Sequence, residues 1–303
     1  MTTTVCVVVK DRRELMLRCL DAILAEAPDE VVVVDNGSTD GTWEALQDKA
    51  ISEPRLRLAQ DRGSLGHIRN LAAQLATGDV VAFTDSDCRP RPGWLAAGLA
   101  ALTDGIGVVQ GRTVPEHDGG GLFHATQDIA APSGLFEACN VFYRRQVLLD
   151  AGGFDTAVGF FGEDTVAGWA VQRAGWRDAW APDAVVEHIV APAGFRWHLR
   201  RTRYYENWPA LLKAFPEKRD LLWHQVFLRR RSAETDLAVV SLVASALTRR
   251  PILAAGALPF LWRHRPRSSH RNEVLGALGS AVLDVSISAA LVKGSIRSRT
   301  PVL

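Results

Sequence analysis

Cysteine is scarce, and what there is forms no pattern. Cys6, Cys19, Cys88 and Cys139 are the four in 303 residues, and no two make a CxxC pair. A disulfide framework or zinc cluster is therefore not expected, whereas buried free thiols in a reducing compartment are. No Gly-X-Y period, heptad array or solenoid repeat occurs, which removes collagen-like, coiled-coil and repeat architectures. Met1-Thr2-Thr3-Thr4 runs straight into an apolar stretch without a basic segment or a leader-like apolar core. A secretory signal peptide is thus not expected, and the chain should be cytoplasmic or peripheral on the cytoplasmic face of a membrane. An excess of one charge is also lacking, since 35 Lys+Arg stand against 34 Asp+Glu. A net charge of +1 argues against a general polyanion binder, so no nucleic-acid partner is expected.

What is present suits a folded chain of one large or two ordinary domains, with 47% hydrophobic and 23% charged residues. Charge is unevenly placed. Residues 196–303 hold 19 basic and 7 acidic side chains, while the remainder is acidic. Val5–Val9, Val31–Val34, Leu56–Ala59 and Val80–Phe83 read as strands. Glu14–Ala25, Thr42–Lys49 and Gly66–Ala76 read as the helices between them. Strand–helix alternation at this spacing predicts a parallel, doubly wound sheet, with ligands outside the carboxyl ends of its strands. Further on, the pattern predicts a helix over Pro90–Gly98, a strand over Val108–Thr113, a mobile loop over 115–134 and a last strand over Ala184–Val190.

The polar residues at those strand ends carry the chemistry. Asp85-Ser86-Asp87 places two carboxylates at the end of a buried strand, where a hard divalent cation would compensate them, although Asp-x-Asp alone is commonly a turn. Asp35 ends another strand and could take hydrogen bonds from a base or ribose, or cap the next helix. Arg69 could fork onto a diphosphate or form a surface ion pair. Glu163-Asp164 follows the loop Gly159-Phe160-Phe161-Gly162 and could supply a general base or a helix cap. His188, at a strand end, is either packed or a metal ligand through one ring nitrogen.

Taken together, these elements resemble the family 2 glycosyltransferases. The carriers are Val31–Val34 with Asp35-Asn36-Gly37-Ser38-Thr39-Asp40-Gly41-Thr42, then Gly66-His67-Ile68-Arg69-Asn70 and Asp85-Ser86-Asp87. Gly152-Gly153-Phe154-Asp155, Gly162-Glu163-Asp164, Ala174-Gly175-Trp176 and Glu187-His188 follow in order, so the resemblance covers residues 4–190. It implies a GT-A fold of the α/β class, a nucleotide-diphospho-sugar donor, Mg²⁺ or Mn²⁺, and inversion at the anomeric carbon. It implies that Asp35, Asn36, Arg69, Asp85 and Ser86 line the donor, and that Asp87, Asp85 and His188 hold the metal. Asp164 would be the base, with Glu163 beside it. Val166 stands where many members carry a further acid, and His67 where small residues are common.

The chain thus divides into a catalytic domain over 1–195 and a helical region over 196–303. The latter interleaves arginines with aromatics and holds three apolar stretches, Leu237–Leu247, Ile252–Trp262 and Val274–Val292. Only the last approaches the roughly 20 residues that span a bilayer. Its stripe of Glu273, Ser280, Asp284 and Ser288 suits a surface-lying or packed helix better. These features suit a glycan or lipid-linked acceptor at the inner membrane face, in cell-envelope or exopolysaccharide assembly. A nucleotidyltransferase is a weaker alternative, because Lys10-Asp11-Arg12-Arg13 after the first strand lacks glycine. A non-catalytic relative is weaker still, because the carboxylate set is intact.

Overall fold

The structure is a computed structural model describing residues 1–117, 122–157 and 161–303. Gly119-Gly120-Gly121 and Gly159-Phe160, singled out in the sequence, lie outside the described residues. Two compact units are present, one of residues 1–119 and 126–190, the other of 120–125 and 191–303.

The first unit is built on eight strands. In chain order they and their helices are β1 (Thr3–Val9), α1 (Arg13–Ala25), β2 (Glu30–Asp35), α2 (Thr42–Ser52), β3 (Leu56–Gln60) and α3 (Leu65–Leu75). Then come β4 (Val80–Asp85), β5 (Cys88–Pro90), α4 (Trp94–Ala101) and β6 (Ile106–Pro115). A short β7 (His124–Ala125) belongs to the other unit. After it come β8 (Asn140–Arg144), α5 (Arg145–Asp150), α6 (Glu163–Arg173) and β9 (Arg177–His188). The strand order is β3-β2-β1-β4-β8-β6-β9-β5. Every residue of β1 is buried, as a β-branched run with no polar face requires.

The parallel expectation holds for β3-β2-β1-β4 and for β6 beside β9. It fails at β8, antiparallel to both neighbours, and at β5, antiparallel to β9. The predicted helix over Pro90–Gly98 is corrected too. Pro90 ends β5, and the helix starts only at Trp94, after Gly93 turns the backbone at φ +87°. A proline lacks the N–H that a helix needs beyond its first turn. The last strand begins at Arg177 rather than Ala184, because Arg177–Ala181 pairs with β6 before a register shift at Gly111/Arg112. Within 115–134 the described residues are partly anchored, with Ile129 bridging Thr113 through backbone hydrogen bonds of 2.8 and 3.2 Å.

The second unit joins β7 to β10 (Ala191–Pro192) in an antiparallel pair. It continues through α7 (Phe195–Arg201), α8 (Trp208–Ala214), α9 (Arg230–Thr248), α10 (Leu258–Arg263) and α11 (Arg271–Ser298). Gly279 lets α11 approach Phe123, whose ring lies 5.4 Å from that of Phe195.

Candidate active site

Sheet register brings the two acidic turns to one edge. Val9 of β1 is level with Asp35, and Val8 with Asp85. Asp35 is fully buried; its Oδ1 accepts the Ser38 N–H at 2.7 Å, while Oδ2 has no hydrogen-bond partner among the described residues. Burying a carboxylate oxygen without a donor is costly, so this atom points to a missing partner. The neighbouring loop is fastened to this turn, since Asp11 Oδ1 accepts the Thr39 N–H at 2.7 Å and Ser38 Oγ accepts the Asp11 N–H at 2.9 Å. Asn36 is spent on this architecture. Its amide exchanges two hydrogen bonds of 3.1 Å with the Gly63 backbone.

The strand pair β5–β9 sets Cys88 level with His188 and so carries His188 back to Asp87 across a hundred residues of chain. His188 Nδ1 lies 2.8 Å from the Ile189 carbonyl oxygen. A carbonyl only accepts, so the proton sits on Nδ1 and Nε2 keeps a free lone pair. That Nε2 stands 3.8 Å from Asp87 Oδ1. Cys88 Sγ is close to both, the three ligand atoms lying within 4.8 Å of one another. Burial pushes the Cys88 thiol well above its usual range. A carboxylate and an imidazole lone pair that face each other, with little solvent between, are a fitting donor set for a divalent cation. Asp87 Oδ2 is held by the Arg12 guanidinium.

Asp85 belongs to a different network. Arg69, buried in α3, donates to Asp85 Oδ1 at 3.1 Å and pairs with Glu163 Oε1. Glu163 Oε2 is buried without a partner among the described residues. Asp164 accepts the Ala138 N–H at 3.1 Å through Oδ2 and the Thr165 N–H at 2.8 Å through Oδ1. Burial pushes both carboxyls up, Glu163 to about 7, with Asp164 adding to it. Arg69 opposes this, but one guanidinium serves Asp85, Glu163 and Asp164 together. Burial lowers the Arg69 pKa and its carboxylates more than restore it, so Arg69 stays charged.

The structure therefore gathers Asp85, Arg69, Glu163 and Asp164 in one cluster, and Asp87 with His188 in another. One residue apart in sequence, Asp85 and Asp87 serve different clusters, with buried Ser86 between them. The ion pair of Arg69 is buried rather than on the surface. Two motifs explain each other. Asn70 accepts the Phe154 N–H at 2.7 Å and donates to the Phe154 carbonyl at 2.8 Å, locking Gly152-Gly153-Phe154-Asp155 to α3. A side chain at Gly66 would strike the Asp155 carbonyl. His67 pairs with Asp61 at 2.9 Å, and Glu187 is clamped by Arg89 and Arg91 at 3.0 and 2.9 Å.

Arg12 and Cys88 were not expected at the site. A basic residue directly after the first strand was the only signal for Arg12. Nothing in the spacing could show Cys88, whose place depends on the β5–β9 pairing.

The family model described as Glycosyl transferase family 2 matches residues 4–162. The glycosyltransferase AglE of Haloferax volcanii is 27% identical over 63% of this chain and 68% of its own length. The glucosyl-dolichyl phosphate glucuronosyltransferase of the same organism is 24% identical over 54% of this chain and 59% of its own length. Among solved structures, the mannosyltransferase PcManGT from Pyrobaculum calidifontis, in complex with GDP-Man and Mn²⁺, superposes with a TM-score of 0.62. The match covers 98% of this chain and 86% of that one, at 23% identity. That likeness establishes the GT-A fold.

Proposed function

The chain belongs to glycosyl transferase family 2, and from that premise we propose that it transfers a sugar, with inversion, from a nucleotide-diphospho-sugar to an acceptor hydroxyl. The observation that carries the reading is the convergence of Asp35, Asp85, Asp87 and His188 on one sheet edge, with Arg69 tying Asp85 to Glu163.

Asp35 Oδ2, buried and lacking a donor, accepts from the base or ribose of the donor. Asp87 and His188 Nε2 hold a divalent cation, Mg²⁺ or Mn²⁺. When bound, such an ion neutralises charge developing on the leaving diphosphate. Asp164 takes the proton as the acceptor O–H breaks. The acceptor oxygen bonds to the anomeric carbon while the bond to the diphosphate oxygen breaks. Burial raises the basicity of Asp164 toward the range a general base needs, and its two backbone hydrogen bonds fix its orientation. Arg69 positions Asp85 and Glu163 around it.

A lipid-linked acceptor in glycan assembly is supported by the dolichyl phosphate substrate in the name of one relative. Four buried, free cysteines fit a reducing, cytoplasmic setting. The test is release of nucleoside diphosphate from a panel of nucleotide sugars, with a polyprenyl-phosphate-linked acceptor and Mn²⁺. Asp164→Asn should keep donor binding by calorimetry and lose turnover by about 100-fold or more. Normal turnover in that variant would overturn the base assignment.

A further inference from the structure

The helical unit exposes an unusual number of large apolar side chains, with Val240 at 64%, Leu247 at 80%, Ile252 at 77%, Leu258 at 62%, Leu261 at 57% and Trp262 at 69% exposure. In the α/β unit, among the described residues, only Met1 and Ile51 are large apolar side chains so exposed. Some polar groups lie inside, alongside buried Leu211, Leu212 and Leu291. Asp284 and Ser288 of α11 are buried, Asp284 pairing with Arg231 and lying 2.9 Å from His264 Nε2, and Ser288 donating to Asp236. Water-soluble bundles keep most such large apolar side chains inside. Polar groups satisfied internally beneath an apolar exterior suit lipid as solvent.

Cations bracket the apolar surface. Arg229-Arg230-Arg231 precede the apolar part of α9, and Arg249-Arg250 follow it. Arg263 ends α10, Arg265 and Arg267 follow it, and Arg265 lies 3.5 Å over the Trp262 ring. A cavity of about 380 Å³ is lined by four of these arginines, with Trp262 and Glu234. The apolar run Leu237–Leu247 is too short for the roughly 30 Å of a bilayer core, and Glu234 and Asp236 separate it from Arg231, so α9 suits a helix lying flat at the surface better than a spanning one. α11 is long and apolar enough to span. Yet Asp284, near its middle, is tied to Arg231 at the start of α9 and to His264 just after α10.

We propose that the outer face of α9, residues 251–257 and α10 docks flat on an anionic phospholipid bilayer. The apolar side chains enter the acyl boundary, Trp262 sits at the interface, and Arg249, Arg250, Arg265 and Arg267 meet lipid phosphates. α11 lies along the surface and does not cross. None of these contacts uses the residues of the transfer reaction, so docking and turnover fail separately.

The test is co-sedimentation of the full chain with vesicles of phosphatidylcholine alone or with about one third phosphatidylglycerol, at low and high salt. The expected result is binding to the anionic vesicles that high salt releases. The double variant Arg265→Glu/Arg267→Glu should lose about tenfold or more in partitioning. Leu261→Glu/Trp262→Glu should lose binding at every salt concentration. All four positions are exposed, and unchanged melting temperatures confirm that the variants fold. Equal binding of variants and wild type would overturn the proposal. So would retention that only detergent reverses, which means a spanning α11. A vesicle-free dimer abolished by Leu261→Glu/Trp262→Glu would overturn it too, since a second copy would then cover the face.

Discussion

Arg69 donates to Asp85 at 3.1 Å from a guanidinium that is almost fully buried, and its other arm holds Glu163. The metal-type motif and the base motif are therefore joined by one charge on α3. Arg69→Met should leave buried Glu163 and half-buried Asp85 uncompensated and cost about 3–5 kcal/mol of stability. Urea unfolding checks this, and a loss under about 1 kcal/mol would mean that the pair is solvated.

Glu163 gives stability a defined pH dependence. Its carboxyl rises from 4.5 to about 7 in the fold, through burial first and Asp164 second. Between those values the folded chain keeps a proton that the unfolded chain has lost. The contribution is full below pH 4.5 and vanishes as pH rises through about 7. Glu163→Gln should flatten this decline, read as the change in urea midpoint between about pH 5 and pH 8.

Asp87 and His188 are expected to hold Mn²⁺. Asp87→Asn and His188→Ala should each weaken Mn²⁺ binding in the presence of nucleoside diphosphate by about 10–100-fold, with the fold intact. The electron paramagnetic resonance signal of free Mn²⁺ reports it. Binding unchanged in both variants would place the ion elsewhere.

Arg12 has the opposite sign. It occupies Asp87 Oδ2 through a half-exposed ion pair, so it competes with a cation for that carboxylate. Without nucleotide, Arg12→Ala should tighten Mn²⁺ binding about two- to fivefold. Weaker binding would show that Arg12 orients Asp87 rather than competing.

Asn70 fastens the Gly-Gly-Phe-Asp turn by both groups of the Phe154 backbone. Asn70→Ala should cost about 2–4 kcal/mol, because two part-buried backbone groups lose their partners. Differential scanning calorimetry would show a lowered melting temperature. An unchanged value would mean that water replaces the amide.

Local patterns decided much of this. Val5–Val9, Val31–Val34 and Val80–Phe83 are short apolar runs rich in valine, and their length and β-branching favour a buried strand over a buried helix. The carboxylates at their ends then share an edge by topology alone, as the register of Asp35 and Asp85 with β1 shows. The order of the motifs placed the chain in its family. Tertiary structure decided which side chains meet. It sent Asp85 to Arg69 and Asp87 to His188, though one residue separates the two aspartates. It set β8 and β5 antiparallel, fastened Asn36 to the Gly63 backbone, and brought Arg12 to Asp87. Such pairings join residues up to about a hundred positions apart, where neither periodicity nor propensity reaches. They follow from strand register and from the cost of leaving a buried charge alone, and both exist only once the chain has closed on itself.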